Sequence, residues 1–197
     1  SFSGAFAAAK RWRHDPFSDY RWKTDANWEP EGAPTASDDV IFDSSDTSTC
    51  TIEGASAVAR SITISSGYTA TIDQKASLTV QSTFEQLGGV FISRDPLTNI
   101  FSVSAGGSFY VTREAVFKRY GGTGTPADPF MIYDVYGLQA SACNVHLSSN
   151  FKLANNIDAS STATWNWSNS RSTYEGFVPI GSSGYSGSFE GNYKVIS

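Results

Sequence analysis

Short apolar runs separated by Gly, Ser, Asn and Asp recur along this chain. Between Trp28 and about Tyr120, the runs VIF at Val40, CTI at Cys50, SITI at Ser61, TATI at Thr69 and SLTV at Ser77 each read as a short strand. VFIS at Val90, IFSV at Ile100 and SFYV at Ser108 continue the series. Ser65-Ser66-Gly67, Gly88-Gly89, Asp95-Pro96 and Ala105-Gly106-Gly107 punctuate it as turns. Upstream, SFSGAFAAAK sets Phe2, Gly4, Phe6 and Ala8 on one side of an extended segment. The RWRHDPFSDYRW run that follows is too polar, and too interrupted by Pro16, to be assigned as a strand.

One regular helix is expected. Phe130 to Tyr133 reads as a strand, after which Asp134 is placed to cap a short helix through about Ala142, with Val135, Leu138 and Ala142 as its buried stripe. Gly137 weakens that helix by about 1 kcal/mol relative to Ala, so tertiary packing has to hold it. Further on, Phe151, Leu153 and Ile157 are expected to point inward and Asn155-Asn156 to turn a corner.

Such a density of short strands fits a solenoid, a β-sandwich or a barrel. Asn-Gly and Asp-Gly hairpin turns are scarce, and the strand spacing is short and fairly regular, both of which favour stacked coils. The segment NWEPEGAPTASDDVIFD is also similar to the entry into the coils of bacterial passenger-type β-helices. From Gly121 to Ser197 the chain reads GGTGTPADPFMIYDVYGLQA, NVHLSSNFKLANNIDAS and GFVPIGSSGYSGSFEGNYKVIS. This stretch resembles the GLUG-type repeat of large bacterial surface and secreted proteins. The resemblance implies a right-handed parallel β-helix in which the short helix sits within a coil. Where that family has Asp-Gly-Asn-Gly near its last turn, this chain has Glu190-Gly191-Asn192-Tyr193. The expected fold is therefore an all-β, right-handed parallel β-helix with one short helix, and a β-sandwich is the alternative. Three regions follow: an N-terminal extension (1–25) that could donate a strand, coils over 26–120, and GLUG-like coils over 121–197.

Composition agrees with an ordered β protein. Of 197 residues, 40% are hydrophobic, 14% aromatic and only 17% charged, enough apolar surface to offset chain entropy. A net charge of -5 argues against nucleic acid as a partner. No apolar run approaches the roughly 18 residues of a membrane span. The chain starts at Ser1 without a signal sequence, as a secreted protein would after processing or as a boundary within a longer chain. Cys50 and Cys143 fit either two buried thiols or one long-range disulfide, and their spacing fits neither a zinc site nor a CxxC pair.

Catalytic patterns are scarce. His14 and His146 stand far apart without a third metal ligand, no GxSxG elbow is present, and Gly121-Gly122-Thr123-Gly124 lacks the Lys-Ser/Thr of a phosphate loop. The chain is read as non-enzymatic, with no metal and no cofactor. Asp38, Asp39, Asp43, Asp46, Asp158 and Glu190 are the carboxylates to weigh, and alternation puts Asp39 and Asp43 on one side. A solvated acidic turn explains them as well, and no repeated GGxGxD supports calcium. Trp12, Trp22, Trp28, Trp165 and Trp167 are expected to cover the ends or side of the core. Trp165-Asn166-Trp167 is expected to send one ring inward and one outward, which makes Trp165 and Trp167 candidate glycan contacts, and Asn166-Trp167-Ser168 is a formal glycosylation sequon.

A solenoid has two open ends that must be capped or paired. The N-terminal alternating segment looks detachable, and the strand-like YKVIS carries no polar cap. The expectation is an extracellular or cell-surface structural and adhesive protein whose copies join head to tail into a filament or surface appendage. Phe2 and Phe6 would insert, and Tyr193, Val195 and Ile196 would accept. The alternatives are the stalk of a larger adhesin, or a carbohydrate-binding or polysaccharide-degrading β-helix using a Trp-lined face with Asp39 and Asp43.

Overall fold

The computed structural model describes residues 9–168, 170–181 and 184–197. β1 (Ala9–Trp12) is followed by a long turn and β2 (Trp28–Glu29), which returns antiparallel to β1. Then come β3 (Asp39–Phe42), β4 (Cys50–Ile52), β5 (Ala57–Ile64), β6 (Thr71–Gln74), β7 (Leu78–Gln86), β8 (Val90–Ser93), β9 (Phe101–Val103), β10 (Ser108–Val111) and β11 (Val116–Lys118). The ladders among these strands are all parallel, and each joins a strand to its equivalent roughly 22 residues later. That is a parallel β-helix and excludes the sandwich, whose two sheets are antiparallel.

Each coil presents three faces because β5 and β7 bend mid-strand. The first parts of β5 and β7 pair onward to β9, whereas their second parts belong to the ladder of β3 and β10. Strand alternation sends every second side chain inward, and the parallel register stacks those side chains in columns. One column runs Val40, Ile62, Phe84, Phe109; another Cys50, Ile72, Phe91, Phe117; a third Ala57, Leu78, Phe101. All of these side chains are buried. The inward residues thus grow from small to aromatic along the axis. At the wide end the five phenylalanines pack against one another with ring centroids 5.0–5.8 Å apart.

At the narrow end the space left by Val40, Cys50 and Ala57 is filled by Trp12, Trp22 and Trp28, with Phe42 and Tyr68 beside them. Residues 9–25, expected to belong to an extension, therefore form the first layer of the solenoid. Lys10 stacks on Val40, and the Trp12 and Trp22 rings are core. Buried Asn27 holds the connecting turn, donating to the carbonyls of Asp19 (2.6 Å) and Arg21 (3.1 Å) and accepting from the Asp15 amide. Inward-facing glutamines tie coils together at the corners. The Gln74 amide donates to Ala76 and Ile100 carbonyls, and that of Gln86 to Gly88 and Val116 carbonyls.

The C-terminal part continues the stack with β12 (Phe130–Ile132), α1 (Val135–Ala140), β13 (Phe151–Leu153), a small hairpin of β14 (Trp167–Ser168) and β15 (Thr173–Tyr174), and β16 (Phe189–Glu190). β12, β13 and β16 form a parallel ladder. Asp134 caps α1 as expected, accepting from the Gly137 amide at 2.9 Å. The whole helix is buried rather than one stripe of it. Gly137 suits this packing, because a Cβ there would stand 3.0 Å from the Arg119 carbonyl, a tight contact that the neighbouring backbone would have to yield to. Asp134 also accepts from Arg119 Nε at 2.6 Å. Arg119 itself is buried, and its guanidinium reaches Ser93 Oγ and the carbonyls of Asn99 and Pro96. One ion pair thereby joins the regular coils to the helix-bearing layer.

Asp134→Ala removes the cap and strands a buried guanidinium together, so it is expected to lower stability by about 3 kcal/mol in denaturant melts. Asp134→Asn keeps a cap acceptor and is expected to cost clearly less. Equal losses would show that the cap adds nothing beyond the ion pair.

His146 lies in a box of Tyr120, Phe130 and Phe151 rings, with centroids 5.3–6.0 Å away. Burial, reinforced by the Lys118 charge, lowers its pKa from the usual imidazole value to about 4. Because the folded value lies below the unfolded one, the unfolded chain takes up the proton first. Stability contributed by neutral His146 is complete above about pH 6.5 and is lost as pH falls toward 4. Melting temperature is expected to fall more steeply across that window for the native chain than for His146→Leu, and parallel curves would contradict this.

Candidate functional site

The two ends of the solenoid differ. At the N-terminal end, the edge strand β2 is only two residues long, Pro30 follows it, and the Trp cluster plugs the core behind it. At the C-terminal end, β16 is the edge of its ladder, and residues 195–197 stack on 157–159 through Ile157 N to Val195 O (2.8 Å) and Ala159 N to Ser197 O (2.7 Å). Behind this edge opens a cavity of about 540 Å³ lined by Leu138, Ala159, Phe177, Ile180, Tyr185, Phe189 and Ile196. Its walls are almost wholly apolar. Phe189, Val195 and Ile196 are 38%, 60% and 46% exposed.

Tyr193 is fully exposed and adopts φ 55°, directly after Asn192 at φ 48°. Lys194 N closes the turn onto Gly191 O at 2.9 Å. Two successive left-handed residues are what the Gly-containing form of this turn would accommodate freely. Tyr193 takes that geometry at a cost of about 1–2 kcal/mol. Tyr193, Val195 and Ile196, expected from the sequence to accept a neighbouring copy, are all exposed here, while Phe2 and Phe6, expected to insert, lie outside the described residues. The sequence pattern does not mark Phe177, Ile180, Tyr185 and Phe189. The only signal for them was the apolar character of GFVPIG and of the turn after it.

A second concavity, of about 760 Å³, lies on the side of the solenoid between the β14–β15 hairpin and the outward face of β7 and β10. Trp165 is buried against Phe109 and Tyr136, whereas Trp167 is half exposed. Residues two apart in a strand share a face, so alternation does not separate them. Asn166 does, at φ 55°. Trp165 is thus core and no glycan contact. The Asn166 side chain donates to the Gly176 carbonyl and is itself buried, so the sequon asparagine is occupied within the fold. Trp167 meets Tyr174, which no sequence pattern marks, edge to face at 5.0 Å.

The other candidates are held in structural contacts. Asp39 pairs with Arg60 and Ser61; Asp43 with Arg11 and Ser45. Both face outward, but four residues along a strand span about 13 Å, beyond the roughly 5–10 Å of a glycosidase pair. Asp38 holds Thr35, Asp46 accepts from the His14 amide, Asp158 accepts from the Ser160 amide, and Glu190 pairs with Lys152 at 3.0 Å. His14 stacks flat on Tyr20 at 4.0 Å. Cys50 and Cys143 are both free and buried. Burial pushes the Cys50 thiol well up and that of Cys143 to about 11, so neither is a ready thiolate. Among the described residues no group of three or more His, Cys, Asp or Glu could hold a metal ion, and no helix is long and apolar enough to cross a membrane.

No curated protein and no solved structure matches the chain. Residues 15–175, from the turn behind the Trp cluster to the β14–β15 hairpin, match one family throughout: the chain belongs to DUF8693, a family described as a domain of unknown function.

Proposed function

We propose that this chain is a non-catalytic, extracellular structural subunit that assembles head to tail. The C-terminal end of one copy accepts the N-terminal segment of the next. The observation that carries the reading is the contrast between the ends: a Trp-plugged N-terminal layer against an apolar cavity beside an edge, at Phe189 and Ile196, that no strand among the described residues pairs. Exposed apolar surface of this kind marks an interaction site. The segment 1–8 supplies a fitting occupant, since Phe2 and Phe6 alternate with small residues and lead directly into β1. A strand added at one end by the other end of a copy is a heterologous contact, and such contacts build open chains. The non-catalytic part of the reading draws support from the carboxylates, most of which are engaged in ion pairs, turns and caps.

Light scattering and negative-stain microscopy over a concentration series test this. The native chain is expected to form oligomers or filaments, and both deletion of residues 1–8 and the pair Phe189→Asp/Ile196→Asp are expected to give monomers. A monomer at every concentration, or assembly unaffected by the deletion, would overturn the proposal. Tyr193→Gly relieves a left-handed tyrosine, so it is expected to raise stability by about 1 kcal/mol while weakening assembly several-fold. A gain in both would remove Tyr193 from the interface.

A further inference from the structure

We infer that the side groove beneath the β14–β15 hairpin is a binding site for a neutral polysaccharide, separate from the end-to-end contact. Three features carry this. The first is the aromatic pair. Trp167 and Tyr174 are half exposed at the rim, their rings 5.0 Å apart at 69°, so together they offer a flat face and an adjoining edge. The C–H faces of pyranose rings stack on such surfaces, which gain contact at little conformational entropy cost.

The second is how firmly that pair is presented. Trp165, one turn of chain below, is anchored between Phe109 and Tyr136. Thr164 Oγ1 donates to the Gly107 carbonyl at 2.7 Å, and beyond the hairpin Gln139 makes reciprocal bonds with the backbone of Val178 at 2.9 and 3.2 Å. Asn166 and Ser172 both adopt φ above +50°, unfavourable for non-glycine residues, and the Asn166 twist is what turns Trp167 outward.

The third is the floor. Glu85 of β7 and Tyr110 of β10 lie side by side in register on the outward face, and Glu175 lines the opposite wall. Carboxylate and phenol oxygens suit sugar hydroxyls, and a groove of this volume is of ordinary ligand size. Glu85 disfavours an acidic glycan, whereas Glu175 is paired with Arg171 at 3.1 Å. A peptide added as a strand would need the free edge of β10, the last strand of its sheet, whereas the floor presents the outward side chains Glu85 and Tyr110.

Affinity electrophoresis of the full chain through gels containing neutral glucan, mannan, galactan or xylan, with hyaluronan and polygalacturonate as acidic counterparts, tests the inference. At least one neutral polysaccharide is expected to retard the native chain. Trp167→Ala and Tyr174→Ala are each expected to weaken that retardation at least about tenfold, and Trp167→Phe to retain most of it. Keeping a ring at position 167 separates loss of stacking from loss of the hairpin fold. Retardation by none of the neutral polymers, stronger retardation by the acidic ones, or affinity unchanged in Trp167→Ala would overturn the inference.

Discussion

The parallel ladder is the constraint on which everything else here depends. A coil satisfies the backbone groups on one edge with the coil before it and those on the other with the coil after it, so no coil is complete alone. The same rule that stacks Val40 on Ile62 and Ile62 on Phe84 leaves each end of the stack with an unfinished layer. How a chain treats those two layers then becomes the functional question. At one end this chain turns β2 back against β1 and seals the core with indole rings; at the other it leaves apolar side chains around a cavity.

Core volume follows the same logic. Columns that begin with Val40, Cys50 and Ala57 end with phenylalanines, and the deficit at the start is made up by Trp12, Trp22 and Trp28 from the capping turn. Close packing of this kind does not tolerate voids, so cap and first coils are matched to each other. Beyond β11 the regular coil gives way to a layer containing α1. Arg119, which is buried, and Asp134, which is partly so, join the two by one ion pair whose carboxylate is also a helix cap.

Much of the architecture was legible because it is written in local pattern. The period-two strands at Val40, Cys50, Ser61 and Val90, the Asp134 cap and the inward Phe151, Leu153 and Ile157 all lie where alternation and capping chemistry place them. What pattern hides is pairing at a distance. β1 overlaps a polar, Arg-rich run, in which Arg11 meets Asp43 of a neighbouring coil and Arg13, just past the strand, meets Glu29 of β2. Gly137, weak by propensity, sits where the Arg119 carbonyl approaches closely, a tertiary contact that pattern does not show. The separation of Trp165 from Trp167 rests on one left-handed asparagine that no periodicity reveals. Asp39 and Asp43 share a face as alternation requires, yet strand rise and their arginine partners set them to bracing coils.

The central claim is that the C-terminal layer is completed by another copy. Amide hydrogen exchange measured at low and at high protein concentration tests it most directly. Residues 189–197 are expected to gain protection as concentration rises, while the amides of β5 and β7 stay equally protected throughout. Exchange at 189–197 that is the same at every concentration would contradict the claim.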